Sequence, residues 1–236
     1  MLELDMINTQ DHKLATDMPN TARYHGGRSE VTAPYVAEMA RLKILEIYGS
    51  GAYTEGLKAY LTVDSTLQEA ANRAINTGLE DYDRRHGYRG AMKQLTPEQM
   101  IEPGTIIQTL RDTKTAHSNT AALVLSIEES TAILQTLTHG TVELELEHAQ
   151  WAKPYITVDR IGKEPASLED ILRPGDIIEV RQTAENLDSP AIWHLTQAPD
   201  VQGALISISP LDGGIKALVG GYDFNLSHYN RATQAR

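Results

Sequence analysis

The 236 residues contain no cysteine, which excludes disulfides and cysteine-ligated metal sites and leaves the redox compartment open. No apolar run approaches the roughly 20 residues that a membrane-spanning helix requires. The stretch "AALVLSI" at 121–127 is among the longest, and it is strand-sized. The opening "MLELDMINTQ" lacks the basic start and long apolar core of a secretory signal, so export would depend on a targeting segment outside these residues. Positive charge is also scarce: 21 Lys and Arg face 32 Asp and Glu, a net charge of −11. Most of the excess lies in residues 101–200, where seven basic residues meet 16 acidic ones, a net of −9. Such a module is a poor ligand for polyanions.

Hydrophobic residues make up 41% of the chain, enough for one large core or two small ones. The first 30 residues are polar and aperiodic and are expected to form a connector. Helical periodicity begins at Pro34, with Val36, Met39, Ala40, Ile44 and Ile47 on one face and Gly49 as the stop. "AYLTV" at 59–63 is expected as a short strand. A second helix should start with a Ser65/Gln68 capping box and bury Leu67, Ala70, Ala71, Ala74, Ile75, Gly78 and Leu79, ending at Gly87.

From about 104 to 200 the period changes to two. "TVELELE" puts Val142, Leu144 and Leu146 on one face and Glu143, Glu145 and Glu147 on the other. "TIIQTL", "NTAALVLSI", "TAILQTL", "DIIEVRQ" and "AIWHLTQ" are strand-like, separated by the turn signals "THG", "RPGD" and "LDSP", with a short helical stretch near "SLEDIL". Five or six strands in about 100 residues predict a small antiparallel barrel of the OB type. "GALISISPLDGGIKALVGG" then predicts a hairpin, so the fold class is mainly β with flanking helices, α+β.

Candidate sites are few. Asp81, Asp83 and His86 in "DYDRRH" are metal-capable residues. Arg84 and Arg85 lie among them, however, and no second histidine sits at the i+4 spacing, so a solvated helix end is expected and no metal or cofactor is assigned. Glu143, Glu145 and Glu147 are either the wet face of a sheet or an acidic docking ridge for a protein partner. Trp151 and Trp193 are expected in the core. A nucleic-acid interface would need a basic groove carrying aromatics, which the charge of this module opposes. No serine is followed by lysine at the third position, and neither "KTG" nor Ser-x-Asn occurs. "GGYD" lacks the lysine of a phosphate loop. The residues alone support no catalytic site.

"APYVAEMAR", "YLTVDSTLQEAANRAI", "DYDRRHGYRGA" and "GALISISPLDGGIKALVGGYDFNLSHYNRATQAR" together resemble class A, bifunctional penicillin-binding proteins, the 1a type of Gram-negative bacteria. The resemblance covers most of residues 22–236. It implies an inner-membrane-anchored peptidoglycan synthase with glycosyltransferase and D,D-transpeptidase domains. In this type an OB-like domain is inserted near the start of the transpeptidase half. On that pattern residues 1–30 are the exit of the glycosyltransferase domain, and 31–93 are linker plus the first transpeptidase strand and helix. Residues 94–200 are the OB-like insert, and 201–236 return to the transpeptidase domain, with "NRATQAR" shortly preceding the Ser-x-x-Lys motif of the acylated serine. The chain would then be a noncatalytic segment on the periplasmic side. Its partners would be the remaining domains of the parent and an outer-membrane lipoprotein activator, the latter at Glu143, Glu145 and Glu147. A free-standing nucleic-acid-binding OB protein is the alternative that charge disfavours.

Overall fold

The computed structural model describes residues 6–10, 12, 13, 30–117, 119–183 and 191–235. It divides into a short unit, residues 1–30, and a large one, residues 31–236. In the first, Thr9, Gln10, His12 and Lys13 have helical backbone. Apart from residues 6–10, 12, 13 and 30, the connector expected at 1–30 lies outside the described residues, as does the "LDSP" turn at 187–190.

The large unit opens with helix α1 (Pro34–Tyr48), which has proline in its first turn and stops at Gly49, φ 58°. Helix α2 (Ser65–His86) follows. Its cap differs from the expected box. Asp64 is the N-cap, its carboxylate accepting from the Leu67 amide at 3.0 Å, and Ser65 is the first helical residue. Gln68 is almost fully buried and is engaged elsewhere. Its amide donates to the Leu218 carbonyl at 3.0 Å, and its oxygen accepts from the Leu218 N–H at 2.9 Å. The glutamine thus satisfies both polar groups of one buried peptide position, which an unpaired helix N-terminus in water does not require. The buried face is rotated accordingly. Ala71 is buried, and Ile75 and Leu79 are half-buried, as expected, but Leu67, Ala70, Ala74 and Gly78 face solvent while Gln68 and Asp83 are buried.

Leu218 belongs to the hairpin of β9 (Leu205–Ile208) and β10 (Ile215–Val219), as the turn signal predicts. Leu218 packs with Tyr35 and Val36 of α1, whereas Ala217 and Val219 pack against Ala71 of α2, so β10 is covered on both faces. The segment 59–63, expected as a short strand, has no regular secondary structure. Its hydrogen bond to β10 is Thr62 Oγ1 to the Ile215 carbonyl, the next residue's amide, Asp64, donates to the Lys216 carbonyl, and Val63 packs in the cluster that holds Leu218.

Helix α2 ends at Gly87, φ 96°, where a Cβ would lie 2.7 Å from the Lys153 carbonyl. Only glycine permits that turn at that approach. The chain then enters the β module: β1 (Lys93–Gln94), helices α3 (Pro97–Met100) and α4 (Pro103–Asp112), and strands β2 (Thr120–Glu128), β3 (Thr131–Thr136) and β4 (Thr141–Glu145). A small hairpin of β5 (Tyr155–Thr157) and β6 (Arg160–Ile161) comes next, then β7 (Asp176–Thr183) and β8 (Ile192–Thr196). All ladders are antiparallel. β2 pairs β3 and β7, β3 pairs β4, and β7 pairs β8. Strands β4 and β8 approach one another without a ladder among the described residues. This is the order of a five-stranded, partly open Greek-key barrel.

Ala122, Val124, Leu134, Leu144, Ile178, Val180, Trp193 and Leu195 fill its interior. On the outer face of β2 and β7, Leu123 and Ile177 pack against Leu110 of α4. Burial on both faces explains the unbroken apolar run of β2. It also explains why "TIIQTL" is part of helix α4 rather than a strand: Pro103 starts the helix, and Ile106 and Leu110, one turn apart, face this sheet. "SLEDIL" forms a 3-10 turn, Leu168–Asp170, with a Ser167/Asp170 capping box.

The altered role of Gln68 is testable by urea denaturation followed by circular dichroism. Gln68→Ala strands two buried backbone groups and should cost about 2–4 kcal/mol, and Asp64→Ala about 1 kcal/mol. Ser65→Ala should be close to neutral. A loss at Ser65 matching that at Asp64 would restore the capping box.

Candidate functional site

Two places concentrate polar chemistry. The first is where α2 meets the barrel. Glu80 lies one helical face along from Ala71 and receives a two-pronged bond from Arg181 of β7, at 2.7 and 3.1 Å. Tyr222, in the segment after β10, donates its hydroxyl to the same carboxylate at 2.7 Å. The Arg181 Nε donates to Asn119 Oδ1 at 2.7 Å. Burial raises the pKa of Glu80, but the hydrogen bonds from Arg181 and Tyr222 and the charges of Arg181 and Arg84 outweigh it, holding the carboxyl below its ordinary value. Burial, with the hydrogen bond to Glu80 and the nearby carboxylate charge, pushes the Tyr222 phenol up. The trio is therefore an ionised carboxylate, a guanidinium and a neutral phenol.

One turn further, Asp83 is 3% exposed, which corrects the expectation of a solvated helix end. It accepts from Arg89 at 2.7 Å, Gln197 at 2.7 Å and the Asp200 amide at 3.2 Å. Asp81 is exposed, so the two aspartates of "DYDRRH" point to different surroundings, and His86 bonds to the Tyr82 carbonyl rather than to either. A third link is made by His117, whose N–H donates to the Asp223 carboxylate and whose ring meets Tyr222 edge-on at 4.6 Å. His117 holds a left-handed backbone, φ 48°, to make it. Of these residues, the sequence singles out Asp81, Asp83 and His86, weighed as metal-capable and expected instead as a solvated helix end. Glu80, Arg181, Tyr222 and His117 leave no local signature, and the one available hint was a run of polar residues, Glu80 and Asp83, in register with Ala71, Ile75 and Leu79.

The second place is the seam between β4 and β8. Glu143, Glu145 and Glu147 are all exposed, while Val142, Leu144 and Leu146 turn inward. β4 ends at Glu145, however, and Leu146–His148 is a 3-10 turn, so Glu147 is not a strand residue. The turn carries Glu145, Glu147 and His148 together, their ligand atoms all within 4.8 Å of one another. Across the seam His194 of β8 lies with its ring 4.5 Å from that of His148, and its Nε2 bonds to Thr183 Oγ1 at 2.9 Å. Burial first, then the charges of His148, Arg84 and Arg181, depress the His194 imidazole. Trp193 is buried in the barrel as expected, and Trp151, half-buried, donates its indole N–H to the Leu195 carbonyl at 2.9 Å, tying the turn to β8. Among the described residues no helix is long and apolar enough to cross a membrane.

Comparison with known proteins gives a consistent answer. Residues 88–201 match the penicillin-binding protein OB-like domain. The whole chain aligns with penicillin-binding protein 1A of Pseudomonas aeruginosa, 37% identical over 236 residues and 28% of that protein's length. It aligns with penicillin-binding protein 1A of Vibrio cholerae at 38% identity, covering 29% of its length, and with that of Escherichia coli at 36%, covering 27%. The crystal structure of penicillin-binding protein 1A from Haemophilus influenzae superposes on the whole chain with a TM-score of 0.71 at 29% identity, using 32% of that chain. The chain thus spans between a quarter and a third of each.

The Glu80 junction carries a pH signature. Its folded pKa lies below the unfolded value of about 4.3, so the pair stabilises fully above that value and is lost as pH falls through the folded pKa. In thermal melts Glu80→Gln should be less stable than the parent at pH 7, and the gap should narrow below about pH 4. A gap of constant size from pH 7 to pH 3 would exclude the linkage.

Proposed function

Because this chain is similar along its whole length to penicillin-binding protein 1A of three Gram-negative species, spanning 27–29% of each, we propose that it is an internal, noncatalytic segment of a bifunctional peptidoglycan synthase of that family. Residues 1–30 leave the glycosyltransferase domain, and 31–93 supply the linker and the first transpeptidase helix. Residues 94–200 form the inserted OB-like module, and 201–236 re-enter the transpeptidase fold, on the periplasmic side of the inner membrane. The match to the OB-like domain at 88–201 supports the module's limits.

The observation that carries this reading is the Glu80–Arg181–Tyr222 cluster, in which the helix before the module, a module strand and the segment after the hairpin share one carboxylate. An insert whose neighbours bind it on both flanks is mounted, not merely tethered. Its part in the parent's glycan polymerisation and peptide cross-linking is to hold a fixed position between the catalytic halves.

Acyl transfer needs a nucleophile beside a base, with N–H donors for the oxyanion. The chain offers no Ser-x-x-Lys, Ser-x-Asn or KTG. A labelled β-lactam should therefore form no stoichiometric adduct on these 236 residues by intact mass, and should form one on the full-length protein. An adduct on the chain itself would disprove the noncatalytic assignment, and an unreactive full-length protein would remove the transpeptidase.

A second reading makes the module a docking surface for an outer-membrane lipoprotein activator. Its support is the exposed row of Glu143, Glu145 and Glu147 beside a β4 edge that carries no ladder to β8. The same charge opposes a free-standing nucleic-acid binder. Reversal of the three glutamates to lysine should weaken capture of the activator, with the difference shrinking as salt rises. Equal capture at every salt concentration would leave the row with an edge-shielding role alone.

A further inference from the structure

We propose that Glu145, Glu147 and His148 form a divalent transition-metal site at the seam between β4 and β8, with Zn2+ the cation the donors suit. The local backbone builds the cluster. In an extended strand Glu145 and Glu147 would be about 7 Å apart along one face, as Glu143 and Glu145 are arranged. The change to a 3-10 turn at Leu146–His148 alters that spacing, because side chains three apart eclipse in such a turn. Glu145 and His148 are three apart, and Glu147 lies between them. The turn is pinned at both ends, by the Leu146 amide to the Ser130 carbonyl at 2.9 Å and the Ala149 amide to the Leu146 carbonyl at 2.9 Å, with Ala149 fully buried.

The donor spacing fits a metal. Zn–N and Zn–O bonds of about 2.0–2.2 Å in a tetrahedron separate neighbouring donors by about 3.4 Å. His148 Nε2 and Glu147 Oε1 already stand 3.4 Å apart. All three ligand atoms lie within 4.8 Å of one another, and the Glu145 and Glu147 side chains are exposed and free to close the difference. The set is not merely acidic. It contains one imidazole, and a second, His194, stands beside that ring from the facing strand at a centroid separation of 4.5 Å, with its own Nε2 bonded to Thr183 Oγ1 at 2.9 Å. Imidazole and carboxylate together select Zn2+ and its neighbours over the oxygen-seeking Ca2+ and Mg2+. Among the described residues no lysine or arginine pairs with Glu145 or Glu147. A bound cation would sit on the β4 side of the open seam, and it would neutralise two of the three carboxylates in the row proposed for docking. The site itself does not depend on that docking reading or on the family assignment.

The test uses the untagged 236-residue chain, stripped with a chelator and titrated with Co2+, then with Zn2+ in competition with a chromophoric chelator. One equivalent of Co2+ should give visible d–d bands of a low-symmetry site, and Zn2+ should displace it. His148→Ala and Glu147→Gln should each weaken Zn2+ by about tenfold or more, while Glu143→Gln and His139→Ala should bind as the parent does. All four positions are on the surface or half-buried, and circular dichroism would confirm the fold of each variant. Absence of one-to-one binding would overturn the site, as would binding that His148→Ala and Glu147→Gln leave unchanged, which would place the ion on other histidines.

Discussion

The bond between Glu80 and Arg181 is the interaction on which the arrangement of the large unit depends. It joins residues 101 apart in the chain, and Tyr222 closes it from a third segment. Removing a carboxylate and a guanidinium from water is costly, and the cost is recovered only with good geometry and full hydrogen bonding. The geometry is good here: the guanidinium is two-pronged on Glu80, and its third nitrogen bonds to Asn119 Oδ1, although the Asn119 amide nitrogen itself is buried without a partner. Helix α2 acts as the strut. Gln68 near one end holds the hairpin, and Glu80, twelve residues on and about 18 Å along the axis, holds the barrel. The neighbouring Asp83–Arg89–Gln197 set makes the attachment two-dimensional, since a single ion pair would leave the module free to pivot.

The barrel itself is a compromise between burial and closure. Its strands follow the order of a Greek-key barrel, yet β4 and β8 meet through side chains, His148 against His194 and Trp151 to the Leu195 carbonyl, and not through a ladder. An unpaired strand edge invites pairing with other chains, and outward charge is one device that prevents it. Glu143 and Glu145 stand on that edge strand, so even their plainest role is structural. Where other OB-type barrels offer nucleic acids a basic groove, this one carries a net charge of −9 in residues 101–200.

Much of this was legible in the chain. The alternation of "TVELELE" gave the correct faces for Val142, Leu144 and the glutamates. Pro34, Gly49 and Gly87 bounded the two long helices. The "PLDGG" turn located the hairpin, and the extended apolar run of β2 was recognised as a strand. "TIIQTL" was misleading because a short apolar run has no distinct period, and the layer it covers, Leu123 and Ile177, is remote in sequence. Gln68 was misassigned for a related reason: the capping-box spacing is local, and its actual partner, Leu218, is 150 residues away.

Sequence alone thus determined what neighbours in the chain decide: strand faces, helix limits, charge, and a resemblance to penicillin-binding proteins through long matching stretches. The tertiary structure decided which polar residues are spent on packing, that Glu80 and Asp83 are buried ion-pair partners and not surface charge, and that Glu145, Glu147 and His148 converge at an open seam. The physical reason is that burial and electrostatic pairing are set by segments brought together from across the chain. Periodicity records that a face is covered, but not by what.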